Sequence, residues 1–248
     1  MRLDWNKLMD IKILYEDDNL IVIDKPAGVL VHPTQANEKN TLVDFLIEKY
    51  PETKNLDWPD KSRTGVVHRL DKDTSGVIVM AKNPDVLAKL QSQFKDREIQ
   101  KTYLALILGK VEKEGKVEAA IERGEAGTQK VIDFTYSFDK KTARPAVTFY
   151  KPIKYYRYDN NDLTLLEVQP KTGRMHQIRT HLKYLGFPII GDPLYNIKPS
   201  RQISKKLDFD RQFLHAEKLE FTDPITNEKM IFESELPDDL QNVLDKLK

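Results

Sequence analysis

The chain of 248 residues carries 40 basic and 39 acidic side chains, for a formal net charge of +1, and 40% of its residues are hydrophobic. It contains no cysteine, which excludes disulfide-stabilised folds, thiolate metal sites and thiolate nucleophiles. The longest apolar runs, such as residues 76–81, are far shorter than the roughly 18 residues that a membrane span needs, and residues 1–12 lack the apolar segment of a secretory signal, so we expect a cytoplasmic protein with no membrane partner.

The first half of the chain is predicted to alternate strands, turns and helices. Thr41 and Asn83 are suitable N-caps, and Pro84 occupies the first helical position after Asn83. Short β-branched or apolar runs that end in turn sequences predict the strands. The predicted elements are a strand at 20–24, a turn at 25–28, an extended segment at 29–31, a helix at 41–50, a loop at 51–65, a strand at 76–81, a helix from residue 84 and a strand at 101–108.

The second half of the chain is predicted to be richer in strands and turns. Its elements are short strands and hairpins within 111–147, a strand at 163–168, a turn at 170–174, a helix at 175–185 and a final helix from residue 237. Because strands outnumber helices, we expect an α+β fold with a mixed, mostly antiparallel central sheet and flanking helices and loops. The glycine fingerprints of dinucleotide-binding domains and P-loops are absent from the sequence.

The charge is unevenly distributed along the chain. Residues 1–60 hold 7 basic and 12 acidic groups, residues 61–216 hold 29 and 18, and residues 217–248 hold 4 and 9. The middle segment therefore has a net charge of +11 between two ends of −5 each. A basic segment of this kind is typical of a surface that binds nucleic acid, although a solvated basic face has the same composition.

The most distinctive local sequence is His-Arg-Leu-Asp-Lys-Asp-Thr-Ser-Gly at residues 68–76. Asp71 lies between Arg69 and Lys72, just before a predicted strand. Nearby cations favour the ionised carboxylate, which suits a nucleophile or a general base. Two alternatives are open: the segment is a stabilised turn without chemistry, or Asp71 and Asp73, about 7 Å apart in an extended chain, are the acid and base of a glycosidase.

A second basic cluster occupies residues 171–183 and contains no acid. In a helix Arg179 and Lys183 lie one turn apart on the same face. Lys171 and Arg174 lie at the predicted helix start, where free backbone N–H groups also favour anions. The cluster predicts a phosphate-binding surface, and a solvated helix face is the alternative.

The histidines do not predict a metal site. His176 and His181 are five residues apart, whereas two ligands on one helical face need a spacing of four. His68 and His215 are expected to be structural hydrogen-bonding residues.

Tyr103 lies in the sequence Lys-Thr-Tyr-Leu-Ala-Leu, which is predicted to be a strand. Its ordinary interpretation is a strand tyrosine of the core or surface. A functional alternative is a stacking platform for a base that has been extruded from RNA.

The order of these segments resembles the RluA-type pseudouridine synthase family. The matching segments are 13–28 with 31–33, 68–82, 101–103, 172–182 with 191–195, and 214–216 with 221–224. The resemblance implies a pseudouridine-synthase-like catalytic domain with a central RNA cleft. It also implies an isomerase that converts a specific uridine of ribosomal or transfer RNA into pseudouridine, with no cofactor and no metal.

The resemblance assigns roles to individual residues. Asp71 is the essential aspartate, which attacks the ribose C1′ or the uracil ring or acts as a base toward the sugar. Tyr103 stacks on the target uracil. Arg179, or alternatively Arg174, forms an ion pair with Asp71, and Arg69 fills the gap that the extruded uridine leaves. The expected RNA-binding residues are Arg69, Lys72, Lys171, Arg174, His176 and Lys183.

Many members of this family carry an S4-like RNA-binding domain before the catalytic domain. Here about a dozen residues precede the first matching segment, so we expect no such domain. We expect residues 1–12 to be an extension and residues 13–248 to be one catalytic domain of a monomer. Two rival functions are a non-catalytic RNA-binding module and a hydrolase that releases free uracil.

Overall fold

The structure, a computed structural model, describes residues 11–35, 38–125, 127–132 and 142–247. Most of the expected extension, at residues 1–10, lies outside the described residues, as do residues 126 and 133–141 of the predicted hairpin region. The chain divides into two compact units, one formed by the described residues up to 100 with 216–235 and the other by residues 101–215 with those from 236 onward. The expectation of one catalytic domain over 13–248 stays a prediction.

The described residues form eleven strands and five α-helices. In chain order they are β1 (Ile13–Glu16), β2 (Leu20–Lys25), α1 (Leu42–Lys49), β3 (Ser75–Ala81), α2 (Pro84–Asp96), β4 (Gln100–Leu108), β5 (Gly115–Glu118), β6 (Ala120–Arg123), β7 (Gln129–Ile132), β8 (Val147–Tyr158), β9 (Asn161–Pro170), α3 (Gln177–Tyr184), α4 (Lys198–Leu207), β10 (Leu214–Thr222), β11 (Lys229–Glu233) and α5 (Asp238–Lys246). Helices flank antiparallel strand pairs, which confirms the expected α+β class.

The sheet of the first unit has the strand order β1-β2-β3-β10-β11. Strands β2 and β3 pair antiparallel from Leu20 opposite Ala81 to Lys25 opposite Gly76. All seven residues of β3 are buried, in agreement with its apolar sequence. Because β3 is central in this sheet, its backbone position is fixed. The turn that immediately precedes β3 is therefore fixed at the end where it joins the strand.

The helices of the first unit begin at the predicted caps. The Thr41 hydroxyl accepts a hydrogen bond from Asp44 N at 3.3 Å, and the Asp44 carboxylate accepts one from Thr41 N at 2.9 Å. Asn83 Oδ1 accepts a hydrogen bond from Val86 N at 2.9 Å. These bonds satisfy backbone N–H groups that a helix leaves without partners. Helix α2 packs its buried residues against the core of β2 and β3.

The sheet of the second unit has the strand order β4-β9-β8-β5, and β6 and β7 form a separate hairpin. Tyr103 of β4 lies opposite Val168 of β9. Helix α3 packs against β7, β8 and β9. This packing places the 171–183 cluster beside the end of β9.

Several elements differ from the sequence-based expectation. Helix α3 begins at Gln177 rather than at residue 175, because His176 adopts a left-handed conformation with φ of 53°. The predicted loop contains two 3-10 turns, at Pro51–Asn55 and Lys61–Arg63. Strands β8, β10 and β11 and helix α4 were not predicted.

Gly76 permits a close approach of two strands in the first unit. Its φ is +116°, and a Cβ atom at this position would lie 2.2 Å from the carbonyl oxygen of Ala216. Such a distance is far inside van der Waals contact, and the neighbouring atom belongs to the backbone. The strand that follows the 71–74 turn therefore requires glycine at this position.

We predict that Gly76→Ala lowers the free energy of unfolding by more than about 3 kcal/mol, because steric overlap adds to backbone strain. Gly186→Ala is the matched control, since Gly186 also has a positive φ, of 86°, but a Cβ there meets nothing within 4 Å. The control should cost about 1 kcal/mol. Equal losses in urea unfolding would contradict the steric explanation.

Candidate active site

The Asp71 segment is a tight turn directly before β3. The Asp71 carbonyl accepts a hydrogen bond from Thr74 N at 3.1 Å. Asp71 is half-buried, whereas Arg69 and Lys72 are exposed, and Thr74 and Ser75 are buried. The segment therefore combines a fixed backbone with an accessible carboxylate and two accessible cations.

A buried lysine holds this turn. Lys25 is fully buried, and its ammonium group donates to the carbonyl oxygens of Pro26 at 2.8 Å and Lys72 at 2.9 Å. The Lys72 carbonyl also accepts a hydrogen bond from Gly28 N at 2.9 Å. A buried ammonium group requires oxygen partners to offset its desolvation. Lys25 therefore links the chain after β2 to the turn that carries Asp71.

His68 has a structural role, as expected. Its Nε2 atom accepts a hydrogen bond from Val79 N at 3.3 Å, and its ring stacks on Phe94 at a centroid distance of 4.5 Å. Because Nε2 accepts this bond, the neutral ring carries its proton on Nδ1. This side chain attaches the start of the 68–76 segment to β3 and α2.

In the second unit, Tyr103 and Lys101 share one face of β4. Tyr103 is buried, with 8% of its surface exposed. Lys101 is half-buried, and its ammonium group donates to the Thr172 carbonyl at 3.2 Å. Burial, together with repulsion from Lys171, lowers the pKa of Lys101 to about 8. The two residues place β4 next to the turn that begins the 171–183 cluster.

This turn is ordered by the side chain of Gln177. The Gln177 Oε1 atom accepts hydrogen bonds from the Thr172 hydroxyl at 2.7 Å and from Arg174 N at 3.0 Å. Its Nε2 atom donates to the Val147 carbonyl at 3.0 Å and to the Thr148 hydroxyl at 2.9 Å. A buried amide with these four partners fixes the turn against β8.

Helix α3 is further anchored by His181. Its Nε2 atom lies 3.1 Å from the Ala119 carbonyl and its Nδ1 atom 2.8 Å from the Thr148 hydroxyl. Burial lowers the pKa of His181, so the ring is neutral, with Nε2 as donor and Nδ1 as acceptor.

Arg179 forms a buried, two-point ion pair with Asp192. Arg179 Nε and Nη2 lie 2.7 and 2.8 Å from the Asp192 Oδ2 and Oδ1 atoms. The side chains are 4% and 0% exposed. Asp192 Oδ1 also accepts hydrogen bonds from Leu194 N and Tyr195 N, at 2.9 and 3.0 Å. Such a pair fixes the plane of the guanidinium group.

Tyr195 lies beside the cations of α3. Its ring centroid is 5.1 Å from the Arg179 guanidinium carbon and 5.8 Å from Lys183 Nζ, which confirms that Arg179 and Lys183 share a helix face. Its hydroxyl accepts a hydrogen bond from Gln129 N at 2.6 Å and lies 2.9 Å from His176 Nδ1. Burial raises the pKa of Tyr195, so this hydroxyl stays protonated at neutral pH.

The remaining predicted residues lie around this turn and helix. Lys171 and Lys183 are exposed, while Arg174 and His176 are half-buried. Arg174 Nε donates to the Pro145 carbonyl at 3.3 Å. The second unit thus brings together Tyr103, Lys171, Arg174, His176, Arg179 and Lys183, and the first unit brings together Arg69, Asp71 and Lys72.

Several residues of these arrangements had no role in the sequence-based interpretation, among them Lys25, Lys101, Gln177, Asp192 and Tyr195. Lys25 gives no local signal of this role, because a lysine at the end of a strand is ordinarily exposed and the carbonyl that it bonds, that of Lys72, is 47 residues away in the chain. Among the described residues, no group of three or more His, Asp or Glu side chains is arranged to hold a metal ion. No helix within those residues is long and apolar enough to cross a bilayer.

The family model for RNA pseudouridylate synthases matches residues 19–184, about two thirds of the chain. The chain belongs to the RNA pseudouridylate synthase family. This match contains the Asp71 turn, Tyr103 and Arg179, and it confirms the resemblance found in the sequence.

Relatives of this family agree over most of the chain. The chain is 39% identical over 240 residues to the ribosomal large subunit pseudouridine synthase D of Nitrosomonas europaea, with 96% of this chain and 65% of that protein covered. It is 36% identical to the protein of the same name from Pseudomonas aeruginosa, with coverage of 97% and 72%. The chain thus spans less than two thirds of the length of the first relative.

A solved structure of the family has the same fold. Human RNA pseudouridylate synthase domain containing 4 matches with a TM-score of 0.71 and 27% identity, over 98% of this chain and 94% of that chain. The architecture described above is therefore that of the pseudouridylate synthase family.

The depressed pKa of Lys101 leads to a stability prediction. Its folded-state pKa of about 8 lies below the unfolded value of 10.5, so the charged form opposes folding. Lys101→Met should therefore stabilise the protein by about 1–2 kcal/mol below pH 8, where both states of the wild type are protonated. The gain should shrink between pH 8 and 10.5. A gain that does not vary with pH in chemical unfolding would contradict this account, and Lys110→Met, at an exposed lysine, is the control.

The Arg179–Asp192 pair leads to a second prediction, with the Arg211–Asp239 pair as its control. Both pairs have two-point geometry, but Asp192 is fully buried while the Asp239 side chain is 49% exposed. Asp192→Ala should lower the free energy of unfolding by about 3–5 kcal/mol, because it leaves a buried guanidinium group uncompensated. Asp239→Ala should cost less, about 1–2 kcal/mol, because the Arg211 side chain is 10% exposed and the space that the half-exposed Asp239 leaves admits water to its guanidinium group. Similar costs for both variants would contradict the role assigned to burial.

Proposed function

We propose that this chain isomerises uridine to pseudouridine in structured RNA. The observation that carries the proposal is the Asp71 turn, where an accessible carboxylate stands on a backbone fixed by Lys25, Gly28 and Thr74 within a chain of the pseudouridylate synthase family. A carboxylate that must attack or deprotonate a nucleotide has to be accessible and held in place.

The reaction is balanced without a co-reactant. The bond between the uracil N1 and the ribose C1′ breaks, a bond between C5 and C1′ forms, C5 loses its proton to solvent and N1 gains one. Asp71 assists by attack on C1′, by addition to the uracil ring or by deprotonation of the sugar. In each of these roles Asp71 acts as a carboxylate.

The other predicted residues have proposed roles on the substrate. Tyr103 stacks on the target uracil, which must leave the RNA stack before its glycosidic bond is reached. Arg69, which is exposed, fills the vacancy in the stack. The ion pair of Asp71 with Arg179, or with Arg174, stays a prediction. The two-point bond to Asp192 gives Arg179 a defined orientation for such a role.

The basic side chains of both units are proposed to bind phosphates. The exposed or half-buried set consists of Arg69, Lys72, Lys171, Arg174, His176 and Lys183. Phosphate contacts supply much of the affinity of nucleic-acid-binding proteins, and RNA loops present the bases that proteins recognise. The names of the relatives from Nitrosomonas europaea and Pseudomonas aeruginosa favour large-subunit ribosomal RNA as the substrate over transfer RNA.

We predict that Asp71→Asn abolishes isomerisation, with a loss of at least about 1,000-fold, while RNA binding persists. The measurement is release of tritium from RNA labelled at uracil C5, since every turnover removes that hydrogen. Asp73→Asn is the matched control, a carboxylate two residues away, and should retain activity.

The products separate the rival functions. Isomerisation leaves the RNA mass unchanged, whereas a glycosidic hydrolase releases free uracil, and a binding module does neither. Loss of activity in Asp73→Asn to the same extent as in Asp71→Asn would support paired carboxylates of the glycosidase type instead. Full activity of Asp71→Asn would overturn the proposed role of Asp71.

A further inference from the structure

Helix α4 presents a row of cations that the site described above does not use. Its inward side consists of Ser200, Ile203, Ser204 and Leu207, which are buried. Lys198, Arg201 and Lys205 are exposed, and their spacing of three and four residues places them along one face. With a rise of 1.5 Å per residue, this α4 cation row extends over about 10 Å.

The row lacks carboxylate partners within the described part of the chain. The ion pairs found among the described residues involve other basic side chains, such as Lys206, and not Lys198, Arg201 or Lys205. Helix α4 itself contains no acidic residue. Lys206, on a neighbouring face of the same helix, is different, since its ammonium group lies 2.6 Å from Asp159 Oδ2. The acidic residues that follow the helix, Asp208 and Asp210, come after its C-terminal end.

Like charges one turn apart destabilise an isolated helix by a few tenths of a kcal/mol per pair. The α4 cation row contains two such pairs, Lys198 with Arg201 and Arg201 with Lys205. Their repulsion therefore destabilises the helix in the free protein. An anionic partner with regularly spaced charges removes this repulsion. One strand of duplex DNA has a phosphate per about 3.4 Å of helix axis, so a row about 10 Å long is of the right length to face a few successive phosphates of a nucleic-acid strand.

Helix α4 is firmly joined to the segment that holds Arg179. The Ser204 hydroxyl accepts a hydrogen bond from Gly191 N at 2.8 Å and donates to the Ser200 carbonyl at 2.8 Å. Asn196 Nδ2 donates to the Asp192 carbonyl at 2.8 Å, just before the helix begins. Gly191 is also confined, because a Cβ there would lie 1.9 Å from the Arg211 carbonyl oxygen.

These bonds place the helix and the Arg179–Asp192 pair in one continuous structure. Ser204 of the helix bonds Gly191, and Asn196 bonds the Asp192 carbonyl. The Asp192 carboxylate in turn holds the Arg179 guanidinium group. A strand held by the α4 cation row is therefore held at a defined position relative to Arg179.

We propose that the α4 cation row binds the phosphate backbone of the RNA substrate, outside the nucleotide that is isomerised. This inference rests on the proposed function and adds a second contact region to it. It assigns α4 to affinity and register rather than to the chemical step, because phosphate contacts position a protein on nucleic acid without reading its sequence.

The test compares the triple variant Lys198→Gln/Arg201→Gln/Lys205→Gln with Lys206→Gln. The probes are poly(U) and an unmodified transcript of large-subunit ribosomal RNA, with binding measured over a series of salt concentrations. The triple variant should lower the slope of log affinity against log salt by about 2, since each lost phosphate contact removes about 0.7. Lys206→Gln should leave the slope unchanged, because the Lys206 ammonium group is already paired with the Asp159 carboxylate.

A slope in the triple variant equal to that of the wild type would overturn the proposal. The proposal would also be overturned if Lys206→Gln lowered the slope by one third as much as the triple variant does. Net charge alone would then explain the result. The charge-conserving variant Lys198→Arg/Lys205→Arg should keep the wild-type slope, which controls for damage to the helix.

Turnover separates this inference from the proposed function. At saturating RNA the triple variant should release tritium at the wild-type rate, with its KM raised about 10-fold or more at 0.1–0.2 M salt. If no variant or wild-type protein releases tritium but the slope still falls, the proposed function fails and the RNA-binding row stands. A loss of rate at saturation with an unchanged KM would overturn the assignment of α4 to affinity.

Discussion

The buried ion pair between Arg179 and Asp192 organises the second unit. The guanidinium group belongs to α3 and the carboxylate to the segment before α4, so one two-point interaction joins α3 to the segment that leads into α4. Asp192 Oδ1 also accepts the backbone N–H groups of Leu194 and Tyr195, and Tyr195 in turn stands over Arg179. Removal of one partner would leave a buried charge, which is why the pair constrains its surroundings so strongly.

Lys25 has the corresponding position in the first unit. Its buried ammonium group is held by main-chain carbonyls, and one of them belongs to Lys72 in the Asp71 turn. The turn is thus determined by a charge that must find oxygen partners and by a glycine, Gly76, that lets β3 approach Ala216. The reactive carboxylate is placed by groups that need not touch the substrate. Accessibility at Asp71 and rigidity of its backbone are compatible because different residues supply them.

Local sequence was sufficient for the elements with clear caps and apolar periodicity. The caps at Thr41 and Asn83 and the buried strand β3 were predicted because the responsible interactions lie within a few residues. Helix α4 was missed because two of its four inward residues, Ser200 and Ser204, are polar, so its apolar stripe is incomplete. Strand β8 was missed because it contains Pro152 beside a bulge and most of its side chains are not buried.

The residues of the candidate site also divide into those that the sequence indicated and those that it did not. Asp71, Tyr103 and Arg179 were found because the order of motifs resembles a known family, which the family match confirms, although their roles stay predictions. Lys25 and Asp192 gave no local signal, since Lys25 bonds a carbonyl 47 residues away and Asp192 pairs across a turn and a helix start. Long-range partners of this kind are decided by the fold.

The proposed isomerase activity is tested by mapping pseudouridines in large-subunit ribosomal RNA from cells that lack this protein, and from the same cells after they express either the wild type or Asp71→Asn. If this protein isomerises uridine through Asp71, one or more pseudouridines disappear in the deleted cells and return only with the wild type. An unchanged map in the deleted cells would contradict the proposed function.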